Sequence, residues 1–372
     1  MSKVKELEKM LTEGKLTRRE FMARVSALGL MAAVSPALLS GKAEAAAPKV
    51  GGKFILGSAG GSTTDSLDGG TLAHTMPQTC NQAVRSNLVE VNYKGEAIPE
   101  LAESFEASPD AAKWMFKLRK GVEFHNGKTM DSDDVVYSFN VHRGEDTKSA
   151  AKGVVDPIID IKADGKNMVI FTLKEGNADF PFIASDYHIP IIPKGTKGKE
   201  HEKGIGTGPF ILQTWEPGVR FTAKRNPNYF KSGRPYFDEV EILGIADTNA
   251  RTNALKTGQI HLMNRCEPKT FHFLEKTPGL QALKLEGARH YTIPMLTTMK
   301  PYDNNDVRLG LKYAIDREQM IKQVLRGYGY PGNDHPIPRN NQYFASELPQ
   351  RKYDPEKAKF HLKKAGMLDH EF

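Results

Sequence analysis

One segment, residues 100–139, limits the possible folds more than any other part of the chain: ELAESFEASPDAAKWMFKLRKGVEFHNGKTMDSDDVVYSF. Pro109 and Asp110 form a turn signal. After them, three apolar residues alternate with polar ones, as on one face of a half-buried strand: Trp114, Phe116 and Leu118. The pattern predicts a hairpin whose second strand faces a hydrophobic core.

A helix is predicted to follow this hairpin. The Asn-Gly pair after His125 readily adopts positive φ and indicates a turn. Ser132, Asp133 and Asp134 supply a side-chain oxygen and negative charge, which suit the exposed N–H groups at the start of a helix. We interpret His125 as a loop residue, not as a ligand or a base. The segment therefore predicts a small α/β unit without catalytic features.

The amino terminus has the pattern of an export signal. Residues 17–22, TRREFM, match the twin-arginine pattern (Ser/Thr)-Arg-Arg-x-Phe-Leu; an apolar run at 25–39 and Ala-Glu-Ala at 43–45 follow. The run is shorter than the roughly 20 residues that a bilayer span needs. We therefore predict that residues 1–45 are a twin-arginine signal peptide and that the protein is periplasmic. An amphipathic helix with an incidental Arg pair explains only one of these three parts.

The charge balance does not indicate nucleic-acid binding. Eight of the 52 Lys and Arg and five of the 45 Asp and Glu lie in residues 1–45, which leaves a net charge of +4 on the other 327 residues. The basic residues are dispersed, and no arginine-rich helix or aromatic-basic RNA motif occurs. At about 100–200 residues per domain, the remainder predicts two or three domains.

The cysteine and histidine pattern predicts no metal site. The chain has two cysteines, Cys80 and Cys266, and its His residues are scattered without zinc-ligand spacing. Whether the two cysteines pair is left open, because sequence alone does not place their Cα atoms within the roughly 7 Å that a bridge requires.

No enzyme is predicted either. Residues 327–332 satisfy GxGxxG, but they follow a predicted helix instead of joining a strand to a helix, and Pro331 lies inside the motif. The G-x-S-x-G signature of a nucleophile is absent from the sequence. We predict neither a catalytic residue nor a cofactor.

Five segments in order resemble one protein family. They are the segment at 100–139, GTGPF-x-L at 206–212, RNPNYF at 225–230, ARTNALKTGQIHL at 250–262 and PYDNNDVRLGLKYAIDREQMI at 301–321. Together they resemble family 5 of the extracellular solute-binding proteins, the peptide- and nickel-type receptors of bacterial ABC importers. Each motif alone is weak, and the shared order makes the resemblance specific.

The resemblance implies an α/β fold of the type II periplasmic binding proteins, with two lobes of mixed sheets and an extra small α/β domain. The expected boundaries are lobe I at 46–86 and 187–288, the accessory domain at 87–186 and a partial lobe II at 289–372. Because relatives usually continue for well over a hundred residues after a segment like 353–358, the second lobe is expected to be incomplete.

The resemblance also implies a function. The protein would capture a peptide or similar small solute between the lobes and deliver it to an ABC permease and ATPase, acting as a monomer. Ligand contacts are expected from a strand edge at Ser62, Thr63, Thr64 and Asp65, and from the crossing at His290 and Tyr291. The alternatives are ordinary loop residues at 63–65 and a hinge core at Tyr291.

Two other functions stay open at this point. The chain could be a truncated receptor fragment without transport activity, or a chaperone-like binder of extended polypeptide that uses an exposed sheet edge. The cargo is not determined, because family members bind different solutes on one scaffold.

Overall fold

The structure, a computed structural model, describes residues 7, 10, 24, 48–285, 287 and 289–372. The chain divides into two compact units, Met1–Val50 and Gly51–Phe372, and every element named below lies in the second. The predicted twin-arginine motif at 17–22 and the cleavage region at 43–45 fall outside the described residues.

The strands of the second unit are β1 (Lys53–Ser58), β2 (Val89–Val91), β3 (Ala97–Pro99), β4 (Ala102–Ala107), β5 (Lys113–Leu118), β6 (Ile158–Ala163), β7 (Met168–Leu173), β8 (Phe210–Glu216), β9 (Arg220–Arg225), β10 (Glu239–Gly244) and β11 (Leu262–Met263). Its α-helices are α1 (Thr75–Val84), α2 (Ser132–Asn140), α3 (Lys152–Val155), α4 (Phe180–Ile183), α5 (Thr248–Lys256), α6 (Pro268–Glu275), α7 (Asn305–Ala314), α8 (Arg317–Gln323) and α9 (Pro355–Lys364). Two 3-10 helices span Gly69–Thr71 and Gly198–Lys203.

A five-stranded mixed sheet, in the order β11-β1-β10-β9-β8, is built around β1. β1 runs parallel to both β10 and β11, whereas β8, β9 and β10 form an antiparallel meander. Helix α1 covers one face of this sheet, where its Met76, Cys80 and Val84 pack with Phe221 and Ile242 in a buried cluster.

A second, four-stranded antiparallel sheet has the order β4-β5-β7-β6. The predicted hairpin is confirmed: β4 and β5 pair from Ala102 opposite Leu118 to Ala107 opposite Trp114. The alternating side chains of β5 are buried as predicted, and its Phe116 ring lies 5.3 Å from Phe171 in edge contact. Burial stabilises the folded state by about 1.5–3 kcal/mol for each large side chain and is the main term that stabilises this sheet.

Helix α2 begins at the predicted place with a different cap. The N-cap is Asp131, whose Oδ1 accepts from Asp133 N at 3.1 Å, while Asp134 Oδ2 accepts from Asp131 N at 3.0 Å. The hydroxyl of Ser132 instead donates to Gly165 O at 2.6 Å. Ser132 is therefore the first helical residue, because the reciprocal pair of carboxylates satisfies the N-terminal N–H groups better than one hydroxyl does.

Arg85 and His125 connect segments that are distant in the sequence. Arg85 is buried and donates to Leu67 O, Asn81 Oδ1 and His201 O, so it holds three separate segments together. His125 lies in the predicted turn, but it also contacts the chain before β8: its backbone N donates to Gly206 O at 2.9 Å. Burial lowers the pKa of this imidazole, which therefore acts as a neutral structural group.

The described residues after α6 form helices α7, α8 and α9 and no strand. Helices α7 and α9 pack closely at Gly310, where a Cβ would lie 2.7 Å from Leu362 Cγ. Between α6 and α7, large apolar side chains are exposed, among them Leu285, Ile293 and Leu296. The domain boundaries expected from the sequence stay a prediction, whereas the mixed α/β architecture is observed.

Candidate functional site

The carboxyl ends of the three parallel strands meet at one edge of the five-stranded sheet. Ser58 at the end of β1 lies opposite Gly244 at the end of β10, and β11 ends beside Gly57 at Met263. The chain leaves β1 toward α1 and leaves β10 toward α5. In open α/β sheets, ligands bind at the carboxyl edge where successive strands continue in different directions.

The predicted residues 62–65 form one turn at this edge. Asp65 N donates to Ser62 O at 3.0 Å, and Ser62 N donates to Asp65 Oδ2 at 2.8 Å. The hydroxyls of Ser62 and Thr64 lie 2.9 Å apart, and the side chains of Thr63 and Thr64 are exposed. The turn thus presents accessible hydroxyl groups on a hydrogen-bonded backbone.

Backbone packing fixes the position of this turn. A Cβ on Gly218, in the β8–β9 connection, would lie 2.5 Å from the carbonyl carbon of Ser62 and 2.9 Å from Thr63 N. Gly218 also has φ +72°, a conformation that other residues adopt at a cost. Only glycine therefore lets the two backbones touch here.

Asp65 supports the turn from below. Its side chain is only 4% exposed, and Oδ1 lies 2.6 Å from His74 Nδ1. Because both carboxylate oxygens already have partners, Asp65 organises the turn, while Thr63 and Thr64 face the solvent.

Arg265 lies at the same edge and was not predicted from the sequence. Its Nη2 donates to Thr75 Oγ1 at 2.9 Å, and the guanidinium covers Gly60, where a Cβ would lie 3.1 Å from Nη2. The preceding Asn264 accepts a hydrogen bond from Ala59 N at 2.8 Å and so ties the end of β11 to the end of β1. In the sequence, only the Gly60-Gly61 pair indicates that another segment can approach the backbone closely here. It does not indicate that Arg265 is the residue that approaches.

The other two predicted residues lie on a different segment. His290 and Tyr291 belong to the stretch between α6 and α7, in which the described residues from 281 to 296 form neither helix nor strand. Tyr291 is 72% exposed, and its ring faces the Arg289 guanidinium at 5.3 Å. A buried hinge core is therefore not the environment of Tyr291, and its role in ligand contact stays a prediction.

Three buried histidines lie near the loop that follows the turn. His142 Nδ1 is 2.7 Å from Ser149 Oγ, His188 Nδ1 is 2.7 Å from Asp186 Oδ1, and His201 Nε2 is 3.9 Å from Asp68 Oδ2. Burial lowers the pKa of His142 to about 4, and burial also lowers the pKa of His201. Both imidazoles are therefore neutral near pH 7, and protonation acts against the folded state.

Within the described residues, no group of three or more His, Cys, Asp and Glu side chains is arranged to hold a metal ion. Cys80 and Cys266 are both free thiols, the first buried and the second partly exposed. The described part of the chain also contains no helix whose length and apolar character would suit a membrane crossing.

A family model for the bacterial extracellular solute-binding proteins, family 5 middle region, matches residues 96–371. The chain belongs to family 5 of the bacterial extracellular solute-binding proteins. The resemblance seen in the sequence is thereby confirmed. Family 5 is a family of extracytoplasmic binding proteins and not of enzymes, in agreement with the prediction that no enzyme is present.

Solved structures confirm the predicted fold of a type II periplasmic binding protein. The ABC transporter-associated periplasmic binding protein DppA from Helicobacter pylori, in complex with the peptide STSA, superposes with a TM-score of 0.72 at 24% identity, over 86% of this chain and 67% of that one. AgaA from A. tumefaciens R10, in complex with agropinic acid, gives a TM-score of 0.72 at 28% identity, over 86% of this chain and 65% of AgaA.

Among curated relatives, the oligopeptide-binding protein AppA of Bacillus subtilis (strain 168) is 30% identical over 344 residues. The match covers 89% of this chain and 62% of AppA. The chain thus spans about three-fifths of the length of this relative.

Proposed function

We propose that this chain is the solute-binding component of a bacterial ABC importer, which captures a peptide or similar small solute and delivers it to a membrane permease and its ATPase. The observation that carries the proposal is the meeting of three parallel strand ends with the 62–65 turn at one sheet edge. Hydrogen bonds from main-chain and hydroxyl groups to the backbone of an extended peptide depend little on the peptide's side chains. The peptide complex of DppA and the name of AppA support the same cargo class.

The coupling to transport would follow from closure of two lobes. A solute held at the 62–65 turn and contacted by His290 and Tyr291 from the other side would favour the closed state, which the permease recognises. The binding free energy would then shift the population from open to closed molecules. The lobe and accessory-domain boundaries given above are part of this proposal.

Export by the twin-arginine route is a separate part of the proposal. It rests on the TRREFM sequence at 17–22, the apolar run at 25–39 and the Ala-Glu-Ala spacing at 43–45. Replacing Arg18 and Arg19 by Lys should leave the protein in the cytoplasm, as measured by cell fractionation. Unchanged export would contradict this route.

Thermal unfolding of the full chain with a panel of di-, tri- and oligopeptides, opines and Ni(II)–histidine tests the binding function. A solute at 100 times its Kd should stabilise the protein by about 2.7 kcal/mol, and the shift should saturate. Thr63→Val should weaken binding. Thr129→Val should not, because Thr129 is an exposed residue of the segment between β5 and α2. A panel without any saturable shift would instead favour a receptor fragment that lacks binding activity.

A second candidate function is chaperone-like binding of extended polypeptide. The exposed apolar side chains between α6 and α7, including Leu283, Leu285 and Ile293, favour it. Reduced, carboxymethylated α-lactalbumin, an unfolded polypeptide, should then bind and resist competition by any small solute of the panel. Displacement by a peptide at the 62–65 turn would exclude this candidate.

A further inference from the structure

We propose that Arg265 is a specificity-determining residue of this site and binds a carboxylate of the solute. The inference rests on the proposed function and narrows its substrate class to solutes with an anionic end. Arg265 lies two residues after the end of β11 at Met263, so its side chain starts from the same sheet edge at which the 62–65 turn lies.

Neighbouring residues fix the position of the guanidinium. Asn264 fixes the backbone before it, since its Oδ1 accepts from Ala59 N at 2.8 Å and its Nδ2 donates to Ser58 Oγ at 3.2 Å. Arg265 then adopts φ +53°, and its side chain crosses to Gly60. A side chain at position 60 would meet Nη2 and Nη1 at 3.1 and 3.4 Å, so glycine there leaves the space that the guanidinium fills.

The charge of Arg265 is not neutralised by the described residues. Some other arginines do have carboxylate partners: Arg220 pairs with Glu241 at 2.6 Å and Arg225 pairs with Asp238 at 2.9 Å. Arg265 has one hydrogen bond among the described residues, to the neutral Thr75 hydroxyl, and no carboxylate within 4.0 Å.

Two acidic residues of the adjoining segments already have basic partners. Asp65 contacts His74 at 2.6 Å, and Glu267 contacts Lys269 at 2.7 Å. A guanidinium has five N–H donors in a planar fork that matches a carboxylate, and here only one of them is used within the described residues. An exposed, oriented and uncompensated cation at a strand-end edge is suited to an anionic group of the ligand.

The test compares peptides that differ only in this group. A tripeptide mixture with free C-terminal carboxylates and the same mixture as C-terminal amides are titrated into the full chain, with bound peptides measured by native mass spectrometry and calorimetry. Because charge-assisted hydrogen bonds are strong, the free acids should bind about 10- to 100-fold more tightly than the amides. Arg265→Gln should remove this preference, and Arg265→Lys should restore part of it.

Arg234→Gln is the matched control. Arg234 is exposed and packs on Tyr236, whose carbonyl accepts from Gly51 N near the start of β1, at the opposite edge of the sheet. It should bind both mixtures as the wild type does, and all variants should keep the wild-type melting temperature without ligand. If Arg265→Gln retains the full preference for free acids, or if the wild type binds acids and amides equally, the role of Arg265 is wrong while the binding function stands. If neither mixture and no other solute of the panel binds the wild type, the binding function fails and this inference fails with it.

Discussion

At the scale of single residues, the site depends on glycine as much as on residues that have side chains. Gly218 carries no Cβ and therefore lets the β8–β9 connection touch the backbone of Ser62 and Thr63. The turn is held by main-chain packing, so its geometry does not require a ligand.

Gly218→Ala should destabilise the protein by about 2–4 kcal/mol, because the methyl group enters occupied space and φ is positive. Urea unfolding monitored by circular dichroism measures this. Gly233→Ala is the control: Gly233 has φ +70° and no atom within 4 Å of the added Cβ, so only the conformational cost of about 1–2 kcal/mol should appear. Equal losses in the two variants would show that the close contact contributes nothing.

At the scale of elements, the sequence predicts a helix or strand correctly where neighbouring residues determine it. The β4–β5 hairpin follows from a turn and an alternating strand. The same holds for the start of α2, except that the carboxylate of Asp131 caps it instead of Ser132. The length of β11, Leu262–Met263, is not set by a local signal but by its parallel pairing with Leu56 and Gly57.

The site itself could be predicted only in part. The 62–65 turn is local, and its Ser, Thr and Asp pattern is visible in the sequence. The position of Arg265 does not depend on neighbouring residues alone. It depends on the hydrogen bond between Asn264 and Ala59, which lies 205 positions earlier. No periodicity or turn signal contains such a contact, so Arg265 could be found only in the folded structure.

Asp131→Ala should destabilise the protein by about 1 kcal/mol, because the first N–H groups of α2 lose their acceptor. Thermal unfolding at neutral pH measures the loss. Asp131→Asn should retain most of the stability, since Asn is also a good N-cap, and Asp146→Ala, at an exposed loop position, should have no effect. A full loss in the Asn variant would assign the effect to charge and not to capping.

Acid should destabilise the protein through His142. Its pKa is about 4 in the folded state because of burial, and about 6.5 when unfolded. Between these values the unfolded chain binds more protons, so the stability present above pH 6.5 is lost as the pH falls toward 4, by an amount on the order of 2–4 kcal/mol.

The free energy of unfolding at pH 7 and at pH 4.5 measures this effect. His142→Asn should be less stable at pH 7, because the contact with Ser149 is altered, but its stability should fall less with acid than that of the wild type. An unchanged acid dependence in the variant would mean that another buried group, such as His201, controls the response.

At the scale of the whole molecule, secondary structure and burial differ along the chain. The two sheets have buried clusters that contain Phe116, Phe171 and Phe221, whereas the described residues from 281 to 296 form no helix or strand and expose large apolar side chains. The latter segment therefore has few contacts that resist local opening.

Limited chymotrypsin digestion should cut first in this segment, at Tyr291 or Leu296, and should leave a resistant fragment that contains both sheets. Mass spectrometry of the early products identifies the bonds. Buried Phe116 and Phe171 should not be cut before global unfolding. First cuts within residues 51–275 would contradict this order of stability.

The position of β1 between β11 and β10 in the five-stranded sheet has a consequence for the order of synthesis. Its parallel neighbours, β10 and β11, begin at Glu239 and Leu262. A strand made near the start of the second unit therefore has no permanent partner until about 180 further residues have been translated. The β4–β5 hairpin and α2 can fold in the meantime from contacts close in sequence. Nascent chains stalled before Glu239 should therefore carry a folded small sheet beside an unpaired first strand, and the 62–65 turn should acquire its geometry only when the later strands emerge.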